Sequence, residues 1–353
     1  MNLKTKVKDN SKLSKIPEFQ SSARKILKAI NKSQSFLILT HMNPDGDAIG
    51  SSLALYHYLT QKSKSANFIL LSPIPTNLQF LNGIDKIKIL QNPSEYILSD
   101  NFDVIFILDL NDITRLKDLQ KNLELHPATK IVIDHHQEPK NFADYYLVDT
   151  TASSTGEILY KLLSQDKEIV WTPEIAECLY VAIMTDTGNF RFERTDGEVH
   201  RIVADLIDYG VDPVKLYNEV YNKIPFRAAK LMGIGYSRLE SYYDGKLVLM
   251  PIYHKDFVET NSEEEDTEGF VESLLSIDGV VMSILMMEIV ERNEIRVSIR
   301  SKGDFSARNL ALQFGGGGHI NAAGCRFHNS DFQEIKQKII EKAKAILTNG
   351  SNS

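Results

Sequence analysis

Short runs of aliphatic residues, three of them followed by acidic or imidazole side chains, constrain the fold of this chain more than any other feature. The runs at Ser35–Thr40, Asn67–Leu71, Val104–Leu108 and Ile131–Ile133 are bounded by polar residues and separated by stretches with helical spacing. Buried strands that alternate with helices are typical of a parallel sheet covered on both faces. The sequence therefore predicts an α/β fold for the first part of the chain.

The spacing of apolar residues changes twice along the chain. Its 353 residues are a length that suits two domains. After Asp149 most segments have helical spacing, and from about Gly245 strand-like runs return around a Gly-rich turn. We therefore expect a parallel-sheet domain with a helical C-terminal part, then a connector and a smaller α/β domain. The expected bounds are 17–222, 223–244 and 245–347, with polar tails at 1–16 and 348–353.

Composition and charge narrow the class of function. The formal net charge is −7, whereas proteins that wrap long nucleic acid usually carry a basic surface that neutralises phosphates. Cys178 and Cys325 are far apart and in no CxxC pattern, so we expect neither a disulfide framework nor a thiolate zinc site. No apolar run resembles a signal peptide or approaches the ~20 residues of a bilayer span. We expect a cytoplasmic protein with no membrane partner.

Acidic and imidazole side chains gather at the predicted element ends. Three groups follow strands and a fourth ends a helix: His41, Asp45 and Asp47; Asp109; Asp134, His135 and His136; and Asp186. Since the carboxyl ends of parallel strands border one crevice, we expect these side chains to converge there.

Taken singly, each group has a simpler interpretation. The segment HMNPDGDA is rich in turn residues, and Asp109 or Asp186 could cap a helix. Together, such closely spaced carboxylates would repel one another unless their pKa values rise or cations bind. A mixed Asp and His set suits Mn²⁺, with Mg²⁺ or Co²⁺ as alternatives. A carboxylate shared by two ions would give a two-metal site that cleaves phosphate esters.

The order and spacing of these motifs resemble a known family. HxxPDGDA at 41–48, Asp109 at a strand end, DHH at 134–136 and Asp186 resemble the DHH phosphoesterase superfamily. GGGGHINAAG at 315–324 is similar to its associated substrate domain, and the two-domain layout resembles the bacterial nanoRNase and pAp-phosphatase group, where pAp is 3′-phosphoadenosine 5′-phosphate.

The resemblance implies roles for individual residues. It implies a first metal held by His41 and Asp45, a second held by Asp47, His135 and Asp186, and a bridge from Asp109. It places His136 at the scissile phosphate or the attacking water, and Asp134 behind a histidine ring that it orients. For the substrate it implies contacts from Arg300, Ser301, Arg308, Gly315, Gly316, Gly317, Gly318 and His319. The four glycines could form a flexible linker, but periodic apolar segments flank them, which favours a close approach to an anion.

The function implied is metal-dependent hydrolysis of short oligoribonucleotides and pAp. A cyclic or linear dinucleotide phosphodiesterase, acting on c-di-AMP or pApA, shares the same metal motifs and stays an alternative. Inorganic pyrophosphatases share the first domain, but we would not expect GGGGH in them. A catalytically inactive nucleotide-binding module is disfavoured because every ligand position is filled. The expected partners are short RNA or a small nucleotide, without long duplex nucleic acid, and a homodimer is an open alternative.

Overall fold

The computed structural model describes residues 10–91, 98, 101–318 and 320–349. The chain divides into two compact units, with the boundary between Lys223 and Ile224. Each unit has its own sheet and its own buried apolar clusters on both faces of that sheet.

The first unit contains a six-stranded parallel sheet, which confirms the α/β prediction. Its strands are β1 (Ser35–Leu39), β2 (Ser65–Leu70), β3 (Ile87–Ile89), β4 (Val104–Leu108), β5 (Thr129–Asp134) and β6 (Tyr145–Val148). Their order is β3-β2-β1-β4-β5-β6, and all neighbours are parallel. The chain moves from β1 towards one edge and then returns to β4 on the other side. A crevice is therefore expected between the carboxyl ends of β1 and β4, where the strand order reverses.

The helices of the first unit cover both faces of its sheet. They are α1 (Asn10–Lys32), α2 (Gly46–Gln61), α3 (Gln120–Leu125), α4 (Thr155–Leu163), α5 (Pro173–Asp186), α6 (Gly197–Asp208) and α7 (Pro213–Tyr221). Helix α1 begins inside the segment expected to be a tail, because extending an established helix costs less than starting one. Ser154 caps α4 by accepting from the N–H of Glu157, and Thr172 caps α5 by accepting from the N–H of Ile175.

Helices α2 and α5 approach each other through glycine. A Cβ atom at Gly46 would lie 2.3 Å from Thr185 Oγ1, and one at Gly50 would lie 2.5 Å from the carbonyl oxygen of Cys178. The contact brings the start of α2 next to the end of α5. Asp45 caps α2 by accepting hydrogen bonds from the N–H groups of Asp47 and Ala48 at 3.0 Å each.

The second unit contains a six-stranded mixed sheet. Its strands are β7 (Glu240–Tyr242), β8 (Leu247–Ile252), β9 (Met282–Ile289), β10 (Glu294–Ser301), β11 (Gly317–Gly318) and β12 (Ala322–His328), in the order β11-β12-β10-β9-β8-β7. Its helices are α8 (Phe226–Ser237), α9 (His254–Thr260), α10 (Phe270–Leu274), α11 (Ala307–Leu312) and α12 (Phe332–Asn349). The β8–β9 pair is parallel and the other pairs are antiparallel. Helix α8 lies in the expected connector, and its Leu231 is buried in the apolar cluster of this unit.

Candidate metal centre

The carboxyl-end edge of the first sheet collects the acidic and imidazole side chains. They come from three strands and two helices: His41 after β1, Asp109 after β4, His135 after β5, Asp45 and Asp47 at the start of α2, and Asp186 at the end of α5. Three sets of ligand atoms lie within 4.8 Å of one another: Asp109 with His135 and His136, His41 with Asp45 and Asp109, and Asp47 with His135 and Asp186. The fold therefore brings together the side chains that the sequence predicts at this edge.

Asp109 lies in the middle of the cluster, and its two carboxylate oxygens face different histidines. Oδ2 is 3.4 Å from His41 Nε2, and Oδ1 is 3.6 Å from His135 Nε2. The other carboxylates divide in the same way: Asp45 Oδ2 is 4.0 Å from His41 Nε2, whereas Asp186 Oδ2 and Asp47 Oδ2 are 3.3 and 3.8 Å from His135 Nε2. The cluster thus has two halves that share one buried carboxylate.

The backbone of Asp109 has a conformation that is uncommon for a residue with a side chain. Its φ is +57°, in the left-handed region. Its N–H donates to the carbonyl oxygen of Ile133 at 3.0 Å, which extends the β4–β5 pairing by one residue. Such strain persists only where surrounding contacts hold it, and it is concentrated at functional sites.

His136 is oriented by Asp134. Its Nδ1 lies 2.7 Å from Asp134 Oδ1, and Asp134 is fully buried at the end of β5. A carboxylate in this position makes Nδ1 the protonated nitrogen, so that Nε2 keeps its lone pair. The histidine oriented by Asp134 is therefore the second of the DHH pair.

The N-terminus of α4 holds two of the carboxylates, and sequence reasoning missed this. The backbone N–H groups of Thr155 and Gly156 donate to Asp47 at 2.6 and 2.9 Å, and the Thr155 hydroxyl donates to Asp109 at 3.2 Å. Helix N-termini favour negative charge. The available signal was the capping pattern at Ser154, which places a helix start directly after the last strands of the sheet.

Burial and mutual repulsion shift the pKa values of the carboxylates. Burial, with the charge of Asp109, raises the pKa of Asp47 well above its ordinary value and that of Asp186 to about 8. Burial also acts to raise the pKa of Asp109, but its hydrogen bond with His41 and the charges of the histidines outweigh burial and lower it. A set of oxygen and imidazole donors whose charges oppose one another fits divalent cations, which would relieve the repulsion.

Two arginines that the sequence analysis did not single out lie beside the cluster. Arg194 Nη1 is 3.4 Å from His135 Nδ1. Arg115, in a 3₁₀ helix that follows Asp109, is close enough that its charge acts to lower the pKa of His41. Neither guanidinium has a carboxylate within 4.0 Å among the residues that the structure describes. No local sequence pattern predicts that Arg115 and Arg194 lie beside the cluster, because both positions depend on how the loops fold back.

The expected substrate contacts lie in the second unit. Arg300 Nε donates to Glu272 at 2.7 Å. Ser301 points to the opposite face of β10, where it is buried and its hydroxyl accepts from the N–H of Ala307 at 3.1 Å. Arg308 is exposed on α11. His319 lies outside the described residues.

The Gly-rich turn is an ordered part of the sheet. Gly317 and Gly318 form β11 and pair with β12. A Cβ atom at Gly316 would lie 2.2 Å from the carbonyl oxygen of Gly324, so only glycine fits this approach. Gly315 has a φ of +71° and open space around it. The glycines therefore serve packing and turn geometry, and leave backbone at Gly317 and Gly318 exposed.

Comparison with known proteins covers both units. Residues 35–183 match the DHH family, N-terminal domain, and residues 247–348 match the DHHA1 domain. The chain is 32% identical to a bifunctional oligoribonuclease and PAP phosphatase of Thermus thermophilus, over 92% of this chain and 93% of that protein. It is 26% identical to a protein of the same name from Bacillus subtilis, over 87% and 93%. A crystal structure of an exopolyphosphatase-related protein from Bacteroides fragilis, 32% identical, superposes with a TM-score of 0.86 over 93% of this chain and 98% of that one.

None of the helices in the described part of the chain combines the length and the apolar character that a membrane span requires.

Each unit of the structure contains one of the two family matches. The similarity to the Thermus protein extends over 93% of that protein. The chain therefore belongs to the DHH phosphoesterase family, in the group that includes the bifunctional oligoribonucleases and PAP phosphatases.

Proposed function

We propose that the cluster holds two divalent ions, with Mn²⁺ as the expected metal, and that the protein hydrolyses phosphoester bonds in short oligoribonucleotides and pAp. The observation that carries the proposal is the position of Asp109. Its two oxygens face the two halves of the ligand set, on His41 and on His135. The names of the related proteins supply the substrate class.

Each ligand role follows the division of the cluster. His41 and Asp45 would hold one ion and Asp109 would bridge. The other ion would be held by Asp47, His135 and Asp186. Divalent ions in such a site activate water and stabilise the charge that develops on the phosphoryl oxygens. His136, with Nδ1 fixed by Asp134, presents Nε2 as the group that exchanges a proton with the attacking water or contacts the scissile phosphate.

Residues of the second unit would bind the substrate. We propose Arg300, Arg308, His319 and the exposed backbone of Gly317 and Gly318 for this role, because cationic side chains and free N–H groups suit phosphate. Arg300 would exchange its present partner, Glu272, for a phosphate. Ser301 is a weaker candidate, since its hydroxyl is buried and bonded within the unit.

A substrate panel tests the function. Purified protein with Mn²⁺ should release nucleotide from a 5′-phosphorylated RNA dimer and trimer and phosphate from pAp, and excess EDTA should stop both reactions. Asp109→Ala should abolish turnover and keep the thermal unfolding profile of a folded protein. Full wild-type turnover in excess EDTA would contradict the metal mechanism. Turnover of c-di-AMP or pApA with neither RNA nor pAp cleaved would favour the dinucleotide phosphodiesterase.

Substrate length gives an independent test. The net charge of −7 offers few additional contacts to a long phosphate backbone. Activity should therefore fall as RNA lengthens from two nucleotides to more than about ten, within the ~4–16 nucleotides that single-strand sites cover. Equal turnover of a dinucleotide and a twenty-mer at matched salt would contradict the preference for short substrates.

A further inference from the structure

The segment 187–195, which directly follows Asp186, has an unusual backbone. Gly188, Asn189 and Phe190 have φ values of +55°, +58° and +64°, three left-handed residues in succession. This conformation is unfavourable for residues with a Cβ atom and persists only where neighbouring contacts hold it. Strain of this kind next to a candidate metal ligand indicates a functional role for the segment.

Contacts with α5 fix this segment. Thr187 is buried; its hydroxyl accepts from the N–H of Phe190 at 3.1 Å, and its carbonyl oxygen accepts from the N–H groups of Arg191 and Phe192 at 2.9 and 3.1 Å. The Phe190 ring packs edge-on against Tyr180 with centroids 5.9 Å apart. Since α5 also supplies Asp186, the segment is held in a defined position relative to the cluster.

The segment presents one aromatic ring to solvent. Phe192 is 56% exposed and lies six residues after Asp186 in the chain. Its ring lies against Gly188, where a Cβ atom would be only 2.4 Å from the ring. Glycine at this position therefore makes room for the ring, two residues along the chain from Asp186. Phe190, by contrast, is used in packing.

The same segment contains two exposed arginines: Arg191 donates from Nε to the carbonyl oxygen of Gly188 at 2.7 Å, and Arg194 approaches the cluster. Arg194 is exposed, and its Nη1 lies 3.4 Å from both His135 Nδ1 and the carbonyl oxygen of Ala152. If His135 uses Nε2 as a metal ligand, Nδ1 carries a proton and cannot accept from Arg194. Among the residues that the structure describes, the guanidinium is then left with one contact, at 3.4 Å to the carbonyl oxygen of Ala152, for its five N–H donors. A planar guanidinium in this situation suits the oxygens of a phosphate.

We propose that residues 187–195 form a nucleotide-binding loop, in which Arg194 binds a phosphate oxygen at the metal centre and Phe192 stacks on the adjacent base. The proposal rests on the proposed function in one respect, that the substrate is a nucleotide. An aromatic face accepts every base, so this loop would support cleavage of short RNA without sequence preference. It assigns phosphate and base recognition to the first unit, in addition to the contacts proposed for the second.

Calorimetric binding of AMP and of ribose 5-phosphate, in the presence of Mn²⁺, separates the two contacts. Arg194→Ala should weaken both ligands by about 10- to 150-fold, and Arg194→Lys by less, because the ammonium lacks the planar fork. Phe192→Ala should weaken AMP by roughly 5- to 150-fold and leave ribose 5-phosphate unchanged. Phe192→Tyr should restore AMP binding. Arg201→Ala, which removes an exposed arginine from α6, is the matched control and should bind both ligands as the wild type does.

The outcomes that overturn the proposal are distinct. Equal weakening of both ligands in Phe192→Ala would show that the ring only packs, and unchanged binding in Arg194→Ala would remove the phosphate contact. Thermal unfolding checks each variant, and Phe192→Leu replaces Phe192→Ala if the alanine variant does not fold. Binding is measured without turnover. The variants could show these losses of AMP affinity while the wild type hydrolyses neither RNA nor pAp. That result would contradict the proposed function and support the nucleotide-binding loop.

Discussion

Replacing Thr155 by valine tests whether α4 tunes the candidate metal centre. The hydroxyl of Thr155, fully buried, donates to Asp109 Oδ1 at 3.2 Å, while its backbone N–H donates to Asp47. Valine has nearly the same shape and keeps the backbone donor. The substitution therefore removes one hydrogen bond from the central carboxylate and leaves the helix cap in place.

The expected magnitude follows from the charge of the acceptor. A hydrogen bond to a charged group contributes ~1.5–3 kcal/mol, and loss of a partner behind a metal ligand typically costs about 10- to 100-fold in metal affinity. A tenfold change corresponds to about 1.4 kcal/mol, so the two ranges agree. We expect Thr155→Val to bind Mn²⁺ about 10- to 100-fold more weakly than the wild type.

Competition between the protein and a chelator of known affinity measures this difference. Thermal unfolding of the wild type and of Thr155→Val in EDTA shows separately how much the substitution destabilises the metal-free protein. Thr260→Val is the matched control, because Thr260 is also buried but its hydroxyl donates to Asp256 O within its own helix in the second unit. Wild-type Mn²⁺ affinity in a folded Thr155→Val protein would refute the inference that the Thr155 hydroxyl supports metal binding through Asp109.

Three further outcomes are expected. Asp134→Asn should lower the turnover number at least about tenfold with metal content unchanged, since the amide no longer fixes the His136 tautomer; metal analysis and steady-state kinetics check this. Gly316→Ala should destabilise the protein by ~1–3 kcal/mol because its Cβ meets β12, whereas Gly317→Ala, in open space, should unfold as the wild type does in a denaturant titration. In EDTA, burial raises the pKa of Asp186 to about 8. Its protonated form is favoured in the folded state, so the unfolding temperature should fall as pH rises from about 4 to 8, and Mn²⁺ should reduce that fall.

Much of the first unit follows from the sequence, because periodicity reports directly on burial. The strands β1, β4 and β5 are largely buried on both faces, as is the second half of β2, and all four contain aliphatic runs that stand out from their surroundings. The edge strands β3 and β6 do not, since each is short and partly exposed. Each of these edge strands forms by pairing with its neighbouring strand, and the local sequence carries no information about that pairing.

The convergence of the acidic and imidazole side chains was predictable for the same reason. Parallel strands end at one edge, so residues such as His41 and Asp109 must meet there whatever the loops do. Thr155 and Arg194 were not predictable in this way. Thr155 contacts a carboxylate 108 residues earlier in the chain, and Arg194 reaches His135 only because a left-handed turn redirects its segment.

The packing of α4, α2 and α5 links the stability of the first unit to the geometry of its cluster. A Cβ atom at Gly156 would lie 2.6 Å from Ala182 Cβ of α5, and one at Gly46 would lie against Thr185. These close approaches place the N-terminus of α4 where its N–H groups meet Asp47, a carboxylate whose charge is disfavoured by burial. Part of that cost is offset by helix N–H donors before any cation binds. Because the same helices form the core of the unit, a substitution that loosens their packing would also misplace the carboxylates.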